Sequence, residues 1–198
     1  MAARRILNPA LFICDLQEKF RPAIHEYPKV IATTQKMLKA YIPVFATTQQ
    51  RAKLGDTCSE LGLDSPDGYA TQVHADKSLF SMWTSEVQSA LRAHSPDSHD
   101  VVVVGIESHI CVTQTTLDLL RAGHRVYVLA DGVSSCNKEE VPVALARLRA
   151  EGARVTTSES WLYECMGDAK IPEFRAVAGV VKETKESTKE ALQSLCKI

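Results

Sequence analysis

Three residues whose side chains could work together stand far apart in the chain: Asp15 at the end of "ALFICD", Lys77 in "HADKSLF" and Cys111 in "GIESHICVTQTTLDLL". A thiol attacks a carbonyl carbon as its thiolate, and the unpaired N–H groups of a helix start favour that form. A lysine ammonium could stabilise the thiolate, while a carboxylate could take the thiol proton and return it to a leaving group. Each residue also has a bland role open to it: Cys111 as a small buried thiol, Asp15 as a cap after a strand, Lys77 as a solvated lysine. The residue types alone reach no further than a cysteine hydrolase. Whether they meet depends on the elements that carry them.

Apolar runs at 10–15, 42–48, 100–106 and 124–131 read as strands, and 154–159 starts a last one. Helix-like spacing follows the first strand in "YPKVIATTQKMLKAY" and the fourth in "VTQTTLDLLRAG", which ends at Gly123. A further helix is expected over 139–153, with an irregularity at Pro142. The turn-rich stretch 49–83 needs one short strand near 71–74, because the sheet otherwise has a long structureless crossover. The tail after Ile171 reads as one or two surface helices.

Strand and helix alternate, and the strands are β-branched runs. This predicts an α/β fold: a three-layer α-β-α, Rossmann-like open parallel sheet of about six strands with helices on both faces. One domain spans 1–198, its core about 8–180 and a helical tail 181–198. Ligands of such sheets bind outside the carboxyl ends of the strands, the edge where Asp15, Lys77 and Cys111 all fall.

The composition narrows the class. Hydrophobic residues are 45% and charged residues 24%, and 23 Lys plus Arg against 24 Asp plus Glu leave a net charge of -1. That balance argues against a broad nucleic-acid footprint. The six cysteines form no CxxC pair and no zinc-like spacing. No apolar stretch approaches the roughly 20 residues that span a bilayer, so no membrane partner is expected. The start, "MAARRILNPALFIC", lacks a secretory pattern. A cytoplasmic location is expected, with the mitochondrion as the alternative.

Four segments carry a resemblance: "LFICDLQEKF", "HADKSLFSMW", "VVVVGIESHICVTQTTLDLLRAGHRVYVLADGVSS" and "GARVTTSE". Over about residues 8–180 the chain resembles the isochorismatase-like cysteine hydrolase family. It is most similar to the eukaryotic isochorismatase domain-containing proteins, some of whose protozoan and worm relatives are named mitochondrial-associated ribonucleases. The resemblance implies Asp15, Lys77 and Cys111 as catalytic residues, and the backbone N–H groups of Glu107 and Cys111 as an oxyanion hole. It further implies a non-proline cis peptide between Ile106 and Glu107, for which Gly105 leaves room, and a homo-oligomer, dimer or tetramer.

One departure matters. Nicotinamidases of the family bind a metal through an aspartate and histidines after the second strand. Here that segment, "FATTQQRAKLGDTCSE", has Gln49 and Gln50 and no histidine, and His74 and His109 stand isolated. No metal and no cofactor are expected. The retained cysteine suggests acyl transfer from a small amide or related acyl compound through a Cys111 thioester. Phe20, Gln49, Phe80 and Trp83 are expected in the substrate pocket, although Phe80 and Trp83 suit a core or subunit contact equally well. The alternative is a family member that acts as a binding or interaction protein. Ribonuclease activity is disfavoured, since the sequence has no basic stripe and no recognisable RNA module.

Overall fold

The valines at 101–104 alternate between two cores. In the computed structural model, which describes residues 5–65 and 69–196, Val102 and Val104 pack into one hydrophobic cluster, and Val101 and Val103 into the other. Successive strand side chains point to opposite faces, so a strand covered on both sides must be apolar throughout. Full burial of each such side chain contributes roughly 1.5–3 kcal/mol.

The chain runs β1 (Pro9–Cys14), α1 (Tyr27–Leu38), β2 (Val44–Gln49), α2 (Arg51–Leu54), β3 (Thr71–Lys77), α3 (Ser85–His94) and β4 (Asp100–Ile106). It continues with α4 (Thr113–Arg121), β5 (Arg125–Ser134), α5 (Glu140–Ala150), β6 (Arg154–Thr156), α6 (Ser158–Met166), α7 (Phe174–Glu183) and α8 (Lys185–Leu195). The sheet order is β3-β2-β1-β4-β5-β6, and every neighbouring pair is parallel. Strand order reverses between β1 and β4, and a crevice at such a switch point is where α/β sheets place ligands. Buried residues of α1, α6 and α8 join one core and those of α3, α4 and α5 the other. The three-layer α/β architecture is as expected.

Several boundaries differ from the sequence expectation. α5 begins at Glu140, so Pro142 falls in the first turn, where a missing N–H breaks no helical hydrogen bond, and no irregularity follows. β5 runs on to Ser134 because that whole stretch is buried. The last strand ends at Thr156, and the Thr157 hydroxyl caps α6 by accepting the Ser160 N–H. The tail is no mere surface appendage. Ala191 and Leu195 of α8 enter the core, and the buried Lys36 Nζ donates to Thr188 Oγ1 at 2.8 Å. Lys36 also lies 4.0 Å from Asp131 Oδ2, whose carboxylate accepts the N–H and hydroxyl of Ser158. This buried network ties α1, β5, α6 and α8 together. Among the described residues, no helix is long and apolar enough to cross a membrane.

Candidate active site

Asp15 follows β1 directly, with φ at 51°, and is 1% exposed. Its Oδ1 accepts the Thr47 hydroxyl at 2.8 Å. Its Oδ2 accepts Lys77 Nζ at 2.7 Å. Lys77 ends β3 and uses all three ammonium donors: Asp15 Oδ2, Gln49 Oε1 at 2.6 Å and the Leu79 carbonyl at 3.1 Å. A buried ammonium is tolerated when it is paired and hydrogen-bonded in this way.

Gln49 ends β2 opposite Lys77, and another glutamine holds it in place. Gln17 Oε1 accepts the Gln49 N–H at 2.7 Å, and Gln17 Nε2 donates to the carbonyls of Gln49 (3.2 Å) and Gly55 (2.6 Å). The Tyr27 hydroxyl in turn donates to the Gln17 carbonyl at 2.9 Å. Gln17 is a positioning residue that the sequence reading did not single out.

The loop after β4 delivers Cys111. Gly105 has φ at 117°, and a Cβ there would lie 2.2 Å from the Cys14 carbonyl oxygen. Only glycine permits both the backbone angle and the close approach of β4 to the end of β1. The Ile106–Glu107 peptide is cis. Ser108–Val112 then form a wide π-type turn leading into α4. The Glu107 carbonyl accepts the N–H groups of Ile110 and Val112, both at 3.1 Å, and the Thr113 hydroxyl donates to the Ser108 carbonyl at 2.6 Å. Cys111 is 8% exposed. Its sulfur, the Cys14 sulfur and an Asp15 carboxylate oxygen all lie within 4.8 Å of one another.

The charges of this cluster depend on each other. Burial pushes the Lys77 ammonium down, but the facing Cys14, Asp15 and Cys111 outweigh it, and its pKa stands above the ordinary lysine value. Burial drives the Cys14 thiol well up, and its contact with Cys111 and the nearby Asp15 charge push the same way. Cys14 is therefore a neutral thiol at physiological pH.

A cavity of about 180 Å³ opens at this cluster. Asp15, Gln49, Glu107 and Cys111 supply its polar and reactive lining, and Phe20, Leu54, Phe80, Ile106 and Ile110 its apolar walls. Phe20, Gln49 and Phe80 thus stand where a pocket was expected, and Leu54, Ile106 and Ile110 are additions. Trp83 is a correction. It packs edge-on against His124 at 5.3 Å and lines a separate hollow of about 360 Å³ with His99. The cause is the intervening turn. The Met82 N–H donates to Thr115 Oγ1 at 2.9 Å, Met82 itself is fully buried, and the Trp83 N–H donates to Ser81 Oγ. The sequence could not show that turn.

His74 is engaged in holding the 49–65 loop, with Nδ1 2.8 Å from Asp64 Oδ1 and Nε2 2.8 Å from Thr57 Oγ1. The 45–60 segment does bring Cys58 and Glu60 beside Glu18, a grouping not foreseen from the sequence. Arg21 occupies both of those carboxylates.

The fold thus gathers a thiol after β4, a carboxylate after β1 and an ammonium at the end of β3. The isochorismatase domain model matches residues 9–160. A secreted isochorismatase effector of Phytophthora sojae is 40% identical over 180 residues, covering 89% of this chain and 85% of its own length. Isochorismatase domain-containing protein 2 of Xenopus laevis is 41% identical, covering 89% and 84%. Among solved structures, a MAR1 ribonuclease from Caenorhabditis elegans superposes with a TM-score of 0.81 at 34% identity, covering 91% of this chain and 93% of that one. The chain belongs to the isochorismatase domain family.

Proposed function

We propose that the chain is a cysteine hydrolase that cleaves a small amide or related acyl compound through a thioester on Cys111. The observation that carries this reading is that Cys111 and Asp15 line one small, largely apolar cavity, with Lys77 paired to Asp15. In the first step Asp15 takes the Cys111 thiol proton and the thiolate attacks the acyl carbon. The gap between sulfur and carboxylate closes as substrate binds, as catalytic hydrogen bonds commonly do. The backbone N–H groups of Glu107 and Cys111 hold the oxyanion. As the tetrahedral species collapses, Asp15 returns the proton to the leaving amine and the carbon–nitrogen bond breaks. Water then adds to the thioester with Asp15 as base, releasing the acid and restoring the thiol. Lys77 stays charged throughout, favouring the thiolate and orienting Asp15.

The cavity volume suits an acyl group of a few heavy atoms. No cofactor or metal takes part in these steps. Six free cysteines fit a reducing compartment, the cytoplasm in the first instance and the mitochondrion as the alternative. Leu79 and Phe80, 60% and 52% exposed beside the cavity, offer an apolar surface for a homo-oligomer, dimer or tetramer.

The name of the C. elegans relative favours a second reading, an RNA-cleaving enzyme. Against it, the described lining of the cavity contains no histidine, lysine or arginine to meet a phosphodiester. An activated ester such as p-nitrophenyl acetate separates the readings. The proposal expects a burst of nitrophenolate stoichiometric with enzyme, an acetyl group on Cys111 and loss of both in Cys111→Ser. RNA hydrolysis that Cys111→Ser abolishes, with no acyl burst, would install the second reading instead.

A further inference from the structure

Among the described residues, three places bring cysteine sulfur together with carboxylate or imidazole groups, their ligand atoms all within 4.8 Å of one another: Cys14–Asp15–Cys111, Glu18–Cys58–Glu60 and Glu107–His109–Cys136. Fixed cations distinguish them. In the first, Lys77 Nζ stands 2.7 Å from Asp15. In the second, Arg21 bonds to Glu18 at 2.9 Å and to Glu60 at 2.8 Å. An ammonium or guanidinium so placed occupies the carboxylate oxygens and repels an incoming cation. In the third, Glu107 accepts the Cys136 N–H at 3.0 Å and lies 3.9 Å from His109 Nδ1, and among the described residues no lysine or arginine pairs with it.

We propose that Glu107, His109 and Cys136 form a binding site for a divalent transition metal of the zinc class. The donor set is one carboxylate oxygen, one imidazole nitrogen and one sulfur, which suits a borderline-soft ion and disfavours magnesium or calcium. A tetrahedral ion with bonds of about 2.0–2.3 Å needs its ligands somewhat closer than the present spacing, within reach of side-chain rotation. The ligands come from two segments. Glu107 and His109 share the turn after β4 that the Glu107 carbonyl organises. Cys136 follows β5, and its backbone is tied to Glu107. The Ser135 hydroxyl lies 3.0 Å from His109 Nδ1, and binding the ion through that nitrogen breaks this contact.

Binding converts the Cys136 thiol to a metal-bound thiolate and releases one proton to solvent. Three protein ligands leave a fourth position for water or a small ligand. Glu107 also lines the Cys111 cavity, so the ion would sit at the rim of that cavity. The sequence expectation of no metal looked to the segment after β2 and to histidines taken singly. These ligands come from loops that only the β4–β5 pairing brings together.

Cobalt(II) is the probe, because a cobalt–thiolate bond gives a near-ultraviolet charge-transfer band and four-coordinate cobalt intense visible bands. The chelator-stripped chain is titrated with cobalt(II), and bound cobalt is then displaced with zinc. The proposal expects one equivalent bound with a thiolate band that Cys111→Ser and Cys58→Ser leave in place. Cys136→Ser abolishes the band, and His109→Ala weakens binding at least roughly tenfold. Cys136 is exposed, so its replacement leaves the fold intact, and far-ultraviolet circular dichroism checks this. A band that survives Cys136→Ser or disappears in Cys111→Ser would overturn the assignment, as would the lack of a thiolate band at millimolar cobalt.

Discussion

Lys77 Nζ lies 2.7 Å from Asp15 Oδ2 although 62 residues separate the two, and both side chains are fully buried or nearly so. Removing one partner of such a pair leaves an uncompensated charge in the interior, which costs about 3–5 kcal/mol. Lys77→Met is expected to lower the urea midpoint accordingly, and Asp15→Asn/Lys77→Met to recover part of that loss. The alkaline behaviour follows from the raised Lys77 pKa. Because the folded value exceeds the unfolded one of about 10.4, this stabilisation is complete below about 10.4 and is lost as pH rises through the folded value. Stability should fall with rising pH above that value in the wild type, and Lys77→Met should reduce the slope, the buried Cys14 thiol keeping its own share. An unchanged slope in the variant would mean that another group carries it.

Gly105→Ala should be among the most damaging single changes. The added methyl meets the Cys14 carbonyl at 2.2 Å with φ at 117°, so β1 and β4 must separate at the switch point. A loss above about 4 kcal/mol, or failure to fold, is expected. Soluble protein with a wild-type melting temperature would contradict the close approach.

A ring cluster of His94, His99, His124 and Trp83 lies away from the cavity. Burial pushes His99 down, with the neighbouring His124 and His94 charges adding to it. A backbone contact from Asp97 and the Asp100 carboxylate oppose the shift. Burial also lowers His124. Below about pH 6.5 the unfolded chain therefore binds more protons at these rings than the folded chain. Stability should fall as pH drops from there through the folded values. His99→Phe keeps the ring packing and should flatten this dependence in urea titrations between pH 5 and about 7. An identical dependence in the variant would exclude His99 as its source.

Much of the architecture was legible because a doubly covered parallel strand has one compositional solution, and residues 101–104 meet it. The edge bearing Asp15, Lys77 and Cys111 followed from strand ends alone. What could not be read were features set by contacts distant in sequence. α3 went unread because its cap, Thr84, and its buried Val87 and Leu91 follow a turn-rich stretch that masks the pattern. α8 looked like a polar surface helix because only Thr188, Ala191 and Leu195 face inward. Trp83 lies only three residues after Phe80, yet the Met82 hydrogen bond to Thr115 of α4 turns the chain between them away from the cavity. Gln17 acts through backbone groups of β2 and Gly55, which no spacing rule reveals.

If Leu79 and Phe80 form part of a subunit contact, sedimentation at micromolar concentration should give a dimer or larger species. Leu79→Glu should shift it toward monomer with the circular dichroism unchanged. Monomer alone for the wild type would count against an oligomer built on this surface.

The most direct test of the nucleophile compares Cys111 with Cys136 under limiting iodoacetamide, in chelator and without denaturant, with each site followed by peptide mass spectrometry. Exposure alone favours Cys136, which is at the surface, over Cys111, which is 8% exposed. The proposed mechanism, in which Lys77 favours the thiolate and Asp15 accepts the proton, requires the opposite order. The account predicts that Cys111 is alkylated first and that Lys77→Met slows it at least tenfold relative to Cys136. Alkylation of Cys136 first, with Cys111 reacting only on unfolding, would contradict it and leave Cys111 a buried thiol of the core.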